Sequence, residues 1–210
     1  MKKLLIAIMA LIMAFGMAAC GASEEVPEAV EAVKADVVAL VDASAADLTD
    51  AGWGDDYVAL LESGEARDYA DYDSMKAVLD DIRIESGATY VYVMTPATEG
   101  EPDINGTYTS DGSFVITVDG SEDPDDWGVD YGWEIQFTEA WEGMAAAARS
   151  AWINDEAGTN HDICWSAFAP VYDSEGNVVC ILGIDYPCAD VLNDYPEWNR
   201  DMEEWNGIEE

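Results

Sequence analysis

A chain of 210 residues, half of them apolar and with eight Trp and ten Tyr, has material for one core and not obviously two. Its 45 acidic residues against 8 Lys and Arg give a formal net charge of −37, which sets aside nucleic acid and anionic lipid surfaces as partners by repulsion. The apolar content sets disorder aside. The acidity favours cationic solutes, and it reads equally well as an adaptation to high salt or to an acidic exported proteome.

Lys2 and Lys3 form a positive n-region, and Leu4 to Phe15 form an apolar stretch too short for a comfortable membrane span. Met17-Ala18-Ala19-Cys20 then sets small residues before a cysteine, which resembles a bacterial lipobox. That resemblance implies a lipoprotein signal peptide over residues 1–19, lipidation at Cys20, and a tether over residues 20–25 holding the protein on the outer face of a cell membrane. The alternative is an ordinary signal peptide cut near Ala18-Ala19. Residues 26–210 are expected to form one domain, and the chain ends at Glu210 with no second apolar span to lead to an output domain.

Val26, Val30, Val33, Val37, Leu40 and Val41 recur at helical spacing and predict a long N-terminal helix over Glu24 to Leu48. A shorter helix is predicted over Asp55 to Ser63. A third starts at Asp73-Ser74, turns Met75, Val78, Leu79 and Ile82 inward, and stops at Gly87. Thr89 to Met94 and Ser113 to Asp119 read as strands, separated by a loop with an Asn105-Gly106 turn. Phe137 to Ser150 reads as a helix, and Trp152 to Asp162 as irregular.

Two further apolar runs, Ile163 to Tyr172 and Asn177 to Tyr186, flank Asp173-Ser174-Glu175-Gly176, a hairpin signal. A last helical segment begins at Pro187. The order of elements predicts an α+β fold with a mainly antiparallel sheet.

In the second run Val178, Cys180, Leu182 and Ile184 form one apolar face, while Val179, Ile181, Gly183 and Asp185 form another that closes with a gap and a carboxylate. Tyr90 and Tyr92 share a face of their strand. If Tyr172 faces Asn177 or Val178, Asp185 falls beside Trp165, and Gly183 leaves room for a ligand. An aromatic wall beside a carboxylate suits an ammonium or amine group. The other reading of Asp185 is a backbone cap for the segment after Pro187.

Other constellations are weak. Asp119, Glu122, Asp123, Asp125, Asp126 and Asp130 miss the spacing of a calcium loop and are interrupted by Pro124. His161, the one histidine, lacks the partners for a zinc site. Ser166, His161 and an Asp have no nucleophile elbow, so neither enzymatic activity nor a cofactor is expected. In an exported compartment a disulfide between Cys164 and Cys188 is expected, with Cys180 a buried thiol; three reduced cysteines are the alternative.

GATYVYVMTP, GSFVITVDGSEDPDDWG and SAFAPVYDSEGNVVCILGIDY, in that order, resemble the extracellular PAS-like sensor domains called Cache domains, over about Ala51 to Leu192. The resemblance implies a PAS-like fold and a small ligand reported to a membrane receptor or kinase. It also implies a ligand contact at Asp185, which closes the last strand. The Arg-x-Trp-Tyr element of the amino-acid-binding versions is missing: Asp126-Trp127-Gly128 and Tyr131-Gly132-Trp133 lack the arginine. The expected ligand is therefore small and polar, with an amine favoured by the carboxylate, held near Asp185, Trp165, Tyr90, Tyr92 and Gly183. A ligand-free interaction scaffold is the competing reading.

Overall fold

The computed structural model describes residues 27–97, 113–121, 134–151, 163–192 and 194. Cys20, the Asn105-Gly106 turn, residues 122–133 and His161 lie outside the described residues.

The elements follow as α1 (Glu28–Asp50), α2 (Trp53–Ser63), a short 3-10 turn (Ala66–Asp68), α3 (Tyr72–Ser86), β1 (Tyr90–Pro96) and β2 (Phe114–Asp119). Then come α4 (Ile135–Trp141), β3 (Ala146–Ala151), β4 (Ile163–Tyr172), β5 (Val178–Pro187) and α5 (Ala189–Leu192). The sheet has five strands in the order β2-β1-β5-β4-β3, with antiparallel neighbours throughout. A mainly antiparallel α+β fold with a long N-terminal helix is what the sequence predicts. No described helix is long and apolar enough to cross a membrane.

Helical periodicity sets the first layer. In α1 the apolar stripe Val30, Val37, Val41, Ala45 and Leu48 is buried. In α2 it is Trp53, Tyr57 and Leu60, and in α3 Met75 and Leu79. Val78, expected inward, is instead 39% exposed. Gly87, at φ 76°, ends α3 in the left-handed region, as its position predicts. These helices pack on the sheet face that carries Val91, Val93, Trp165, Ala167, Ala169, Val171, Cys180, Leu182 and Ile184. The opposite face carries Tyr92, Met94, Phe114, Ile116, Phe168 and Ile181 beneath Phe137 and Ala140 of α4.

The β4–β5 hairpin is tied to the helix layer. Asp173 accepts from the backbone N–H groups of Glu175 and Asn177 and from the Asn177 amide at 2.8–2.9 Å. Ser174 donates to Asp55 at the start of α2, and the Tyr172 N–H donates to Thr49 at the end of α1. Gly54 permits this junction, because a Cβ there would run into the Tyr172 carbonyl.

The helix expected over Phe137 to Ser150 is corrected. Helix α4 ends at Trp141, Gly143 adopts φ 98°, and Ala146–Ala151 pairs as a strand with β4. The alanines favour a helix only weakly against the hydrogen bonds that an unpaired edge of β4 offers.

Candidate functional site

Strand alternation builds the site on the face beneath α4. In β5, Ile181, Gly183 and Asp185 point to one side. On one flank Tyr92 lies opposite Gly183 and Tyr90 opposite Asp185; on the other, Phe168 lies opposite Gly183 and Ser166 opposite Asp185. The Tyr92 hydroxyl donates to the Asp185 carboxylate at 3.2 Å. The Ser166 hydroxyl is a second hydrogen-bond partner of the same carboxylate. Both hydroxyls come from strands that flank β5 in the sheet.

Aromatic packing forms the floor. Phe137 of α4 meets Phe168 edge-on, with centroids 4.7 Å apart, and Phe114 lies 5.4 Å from Phe137. Because the Phe137 N–H donates to the Glu134 carbonyl, Glu134 sits one helical turn before that contact. It is half-buried and near enough to Asp185 for that charge to act on it. Burial, then the Asp185 charge, pushes the Glu134 carboxyl from an ordinary 4.5 up to about 7. Asp185 rises from 3.8 to about 6, chiefly by burial with a smaller push from Asp119; the bonds from Ser166 and Tyr92 pull it down. Gln136, buried in the same helix, has an Oε1 with no donor among the described residues.

Of the residues expected at the site, Asp185, Tyr92 and Gly183 come together, and Tyr90, 42% exposed, lies at the rim. Two expectations are corrected. Gly183 does not leave open room: a Cβ there would lie 2.5 Å from the Tyr92 ring, so that ring occupies the space. Trp165 is on the other face, in the core beneath α1, with the Lys34 ammonium 5.8 Å from its ring centroid. The cause is a β-bulge. Tyr172 pairs with Val178, as assumed, but Val171 pairs with Cys180, and the skipped residue shifts the ladder by one. Asp185 therefore faces Ser166, and Trp165 faces Tyr186.

The disulfide is corrected as well. Cys164, Cys180 and Cys188 are buried thiols. Cys164 alternates with Trp165, so it belongs to the Asp185 face, where its thiol lies 3.8 Å from the Thr89 hydroxyl. Cys188 packs into the core beneath α1. Burial pushes the Cys180 thiol pKa well up, as fits an inert core residue.

Sequence reasoning missed Glu134 and the hydroxyl role of Ser166. The signal for Ser166 was its strand parity, once the bulge is known; Glu134, just before α4, carried none. Among the described residues no cluster of His, Cys, Asp and Glu could hold a metal.

No protein-family model and no curated protein matches the chain. Solved structures similar to it include sensor domains. One is the ligand-binding domain of the Campylobacter jejuni chemoreceptor Tlp3 in complex with 4-methylisoleucine (15% identity, TM-score 0.37), matched over 80% of this chain. Another is the sensor domain of the Vibrio cholerae histidine kinase DctB (11% identity, TM-score 0.39), over 75% of this chain. A third is the periplasmic domain of Chlamydia trachomatis RsbU (13% identity, TM-score 0.37), over 80%. The chain spans 64%, 57% and 56% of those three chains, respectively. Likeness at this level describes resemblance, and the functional reading rests on geometry.

Proposed function

We propose that this chain is an extracytoplasmic small-molecule sensing lipoprotein, anchored through Cys20, whose Cache-like domain holds a small polar, amine-bearing ligand at Asp185. The ligand, or the occupied state, is presented to a membrane receptor or kinase. The observation that carries the reading is the placement of Asp185: a half-buried carboxylate, gripped by the Tyr92 and Ser166 hydroxyls at the edge of an aromatic floor. A carboxylate so placed is preorganised for an ammonium group, whose charge offsets the cost of ionising it there.

The scaffold reading keeps one observation in its favour, the Tyr92 ring seated over Gly183. The two part on a thermal-shift screen of metabolites followed by calorimetry. Under the sensing reading a cationic metabolite raises the melting temperature, and Asp185→Asn weakens its binding by about 1.5–3 kcal/mol while leaving the melting temperature of the unliganded domain nearly unchanged. Unaltered affinity in Asp185→Asn would overturn the site; a screen without any stabilising amine would favour the scaffold.

A further inference from the structure

Three features of the Asp185 face constrain the ligand further. The first is the placement of Glu134. Phe137 packs on Phe168, which lies opposite Gly183, two residues before Asp185. Glu134 is one turn before Phe137, a step of about 5 Å along the helix, comparable to the step of about 7 Å from Gly183 to Asp185 along the strand. Trp141, one turn after Phe137, meets Phe114, which pairs with Pro96 at the end of β1 away from Tyr90 and Asp185; Glu134, one turn before Phe137, therefore lies toward the Asp185 end of the face, and the Asp185 charge acts on it.

The second feature is the supply of cations. Between Arg83 and Arg200 the sequence contains a single Lys or Arg, Arg149. Arg149 lies opposite Trp165 in the ladder. Lys34 is over Trp165 on the α1 face, Lys76 donates to the Ser121 carbonyl, Arg83 pairs with Asp80 within α3, and Arg67 acts on the Tyr72 hydroxyl. No cation figures among the groups that act on the charge of Asp185 or of Glu134. An α-amino acid would bring a carboxylate into a site that already holds two carboxyls and feels the Asp119 charge. The third feature is Gln136, buried beside Phe137 in α4, whose Oε1 has no donor among the described residues.

We propose that Asp185 and Glu134 act together as a two-carboxyl clamp for a small aliphatic diamine, and that amines bearing an acid group are excluded. This rests on the ligand-binding reading of Asp185. Two ionised carboxylates in a half-buried site repel each other, and a ligand with two ammonium groups removes that repulsion where a monoamine removes only part of it. The aromatic floor would hold the aliphatic spacer.

The test is calorimetric titration of wild type, Glu134→Gln and Asp185→Asn with 1,4-diaminobutane and its three- and five-carbon homologues, with butylamine, and with ornithine, a diamine that carries a carboxylate. The best diamine is expected to bind about ten- to a hundredfold more tightly than butylamine, and ornithine to lose a similar factor. Glu134→Gln should bring the diamine-to-monoamine ratio close to one. Asp185→Asn should weaken both. Melting curves of the unliganded variants guard against misfolding. Butylamine binding that depends on Asp185, with a diamine ratio indifferent to Glu134, overturns the clamp and leaves the sensing reading standing. Ornithine binding as tightly as the diamine overturns the exclusion. Absence of binding by any of these amines overturns both.

Discussion

The five strands present one face to α1, α2 and α3 and the other to α4, and the two faces are made of different material. Beneath the three helices the buried strand residues are aliphatic or small: Val91, Val93, Ala167, Ala169, Val171, Leu182 and Ile184, with Trp165 the exception. Beneath α4 the floor is Phe114, Phe168 and Tyr92 with Met94, Ile116 and Ile181, and charged or hydroxyl groups are let in at its edge: Asp185, Ser166 and Glu134. One face is sealed by a long and continuous helix layer. Among the described residues the other is covered by a helix of seven residues, Ile135–Trp141. The difference teaches where each property lies: stability sits chiefly on the first face, and recognition can be afforded on the second.

Truncation on each face tests that division most strongly. Leu182 and Ile181 are neighbours in β5, both fully buried, pointing to opposite faces. Leu182→Ala should cost about 2–5 kcal/mol in urea denaturation, because the surrounding helices hold a cavity open. Ile181→Ala should fall at the lower end of that range, since the shorter α4 can settle into the space. Equal costs would break the comparison.

Gly183→Ala probes the contact between the floor and the site. The new methyl group would meet the Tyr92 ring, and through it the hydrogen bond to Asp185. Overpacking of this kind is expected to cost about 1–3 kcal/mol. With Tyr92→Ala in the same chain most of that cost should vanish, a non-additivity read directly from a double-mutant cycle. Additive costs would mean that the ring does not occupy the space above Gly183.

Much of the first face was legible in the sequence and much of the second was not, for a physical reason. The stripes of α1 and α3, the stop at Gly87 and the turn at Asp173 to Gly176 are local signals, written within one or two turns of chain. The identity of Asp185's neighbours is a matter of register, and register here depends on one residue, Val179, skipped opposite the step from Val171 to Tyr172. Nothing local marks that bulge, yet it moves Trp165 from the site to the core and puts Ser166 in its place. The alanines of β3 misled because their preference for helix is weaker than the pairing they find on β4. Glu134 was invisible because it belongs to no periodic segment and reaches the site only through the packing of α4.

The smallest expected effect concerns protons and separates the faces by pH. In the folded protein Asp185 and Glu134 hold their protons more tightly than ordinary carboxyls, at about 6 and about 7, because burial penalises their charged forms and each has a carboxylate nearby. The unfolded chain ionises them near 4, so between about pH 4 and 7 the folded state binds more protons than the unfolded one. Their contribution to stability is therefore fully present below about pH 4 and is lost as pH rises through 6 and 7. Asp173 runs the other way, its carboxyl lowered by hydrogen bonds from Asn177, but its window lies below the ordinary carboxylate value. The unliganded domain should thus melt at a higher temperature at pH 5 than at pH 7.5. The net charge of −37 pushes in the same direction through self-repulsion, so wild type by itself is not diagnostic. Glu134→Gln is diagnostic: it removes a titrating group and one charge in 45 acids, and the difference between its melting curve and that of wild type should change between about pH 4 and 7 and level off outside that window. A difference that does not vary with pH across that range would place Glu134 in ordinary solvent, away from Asp185, and with it would go the second carboxyl of the clamp.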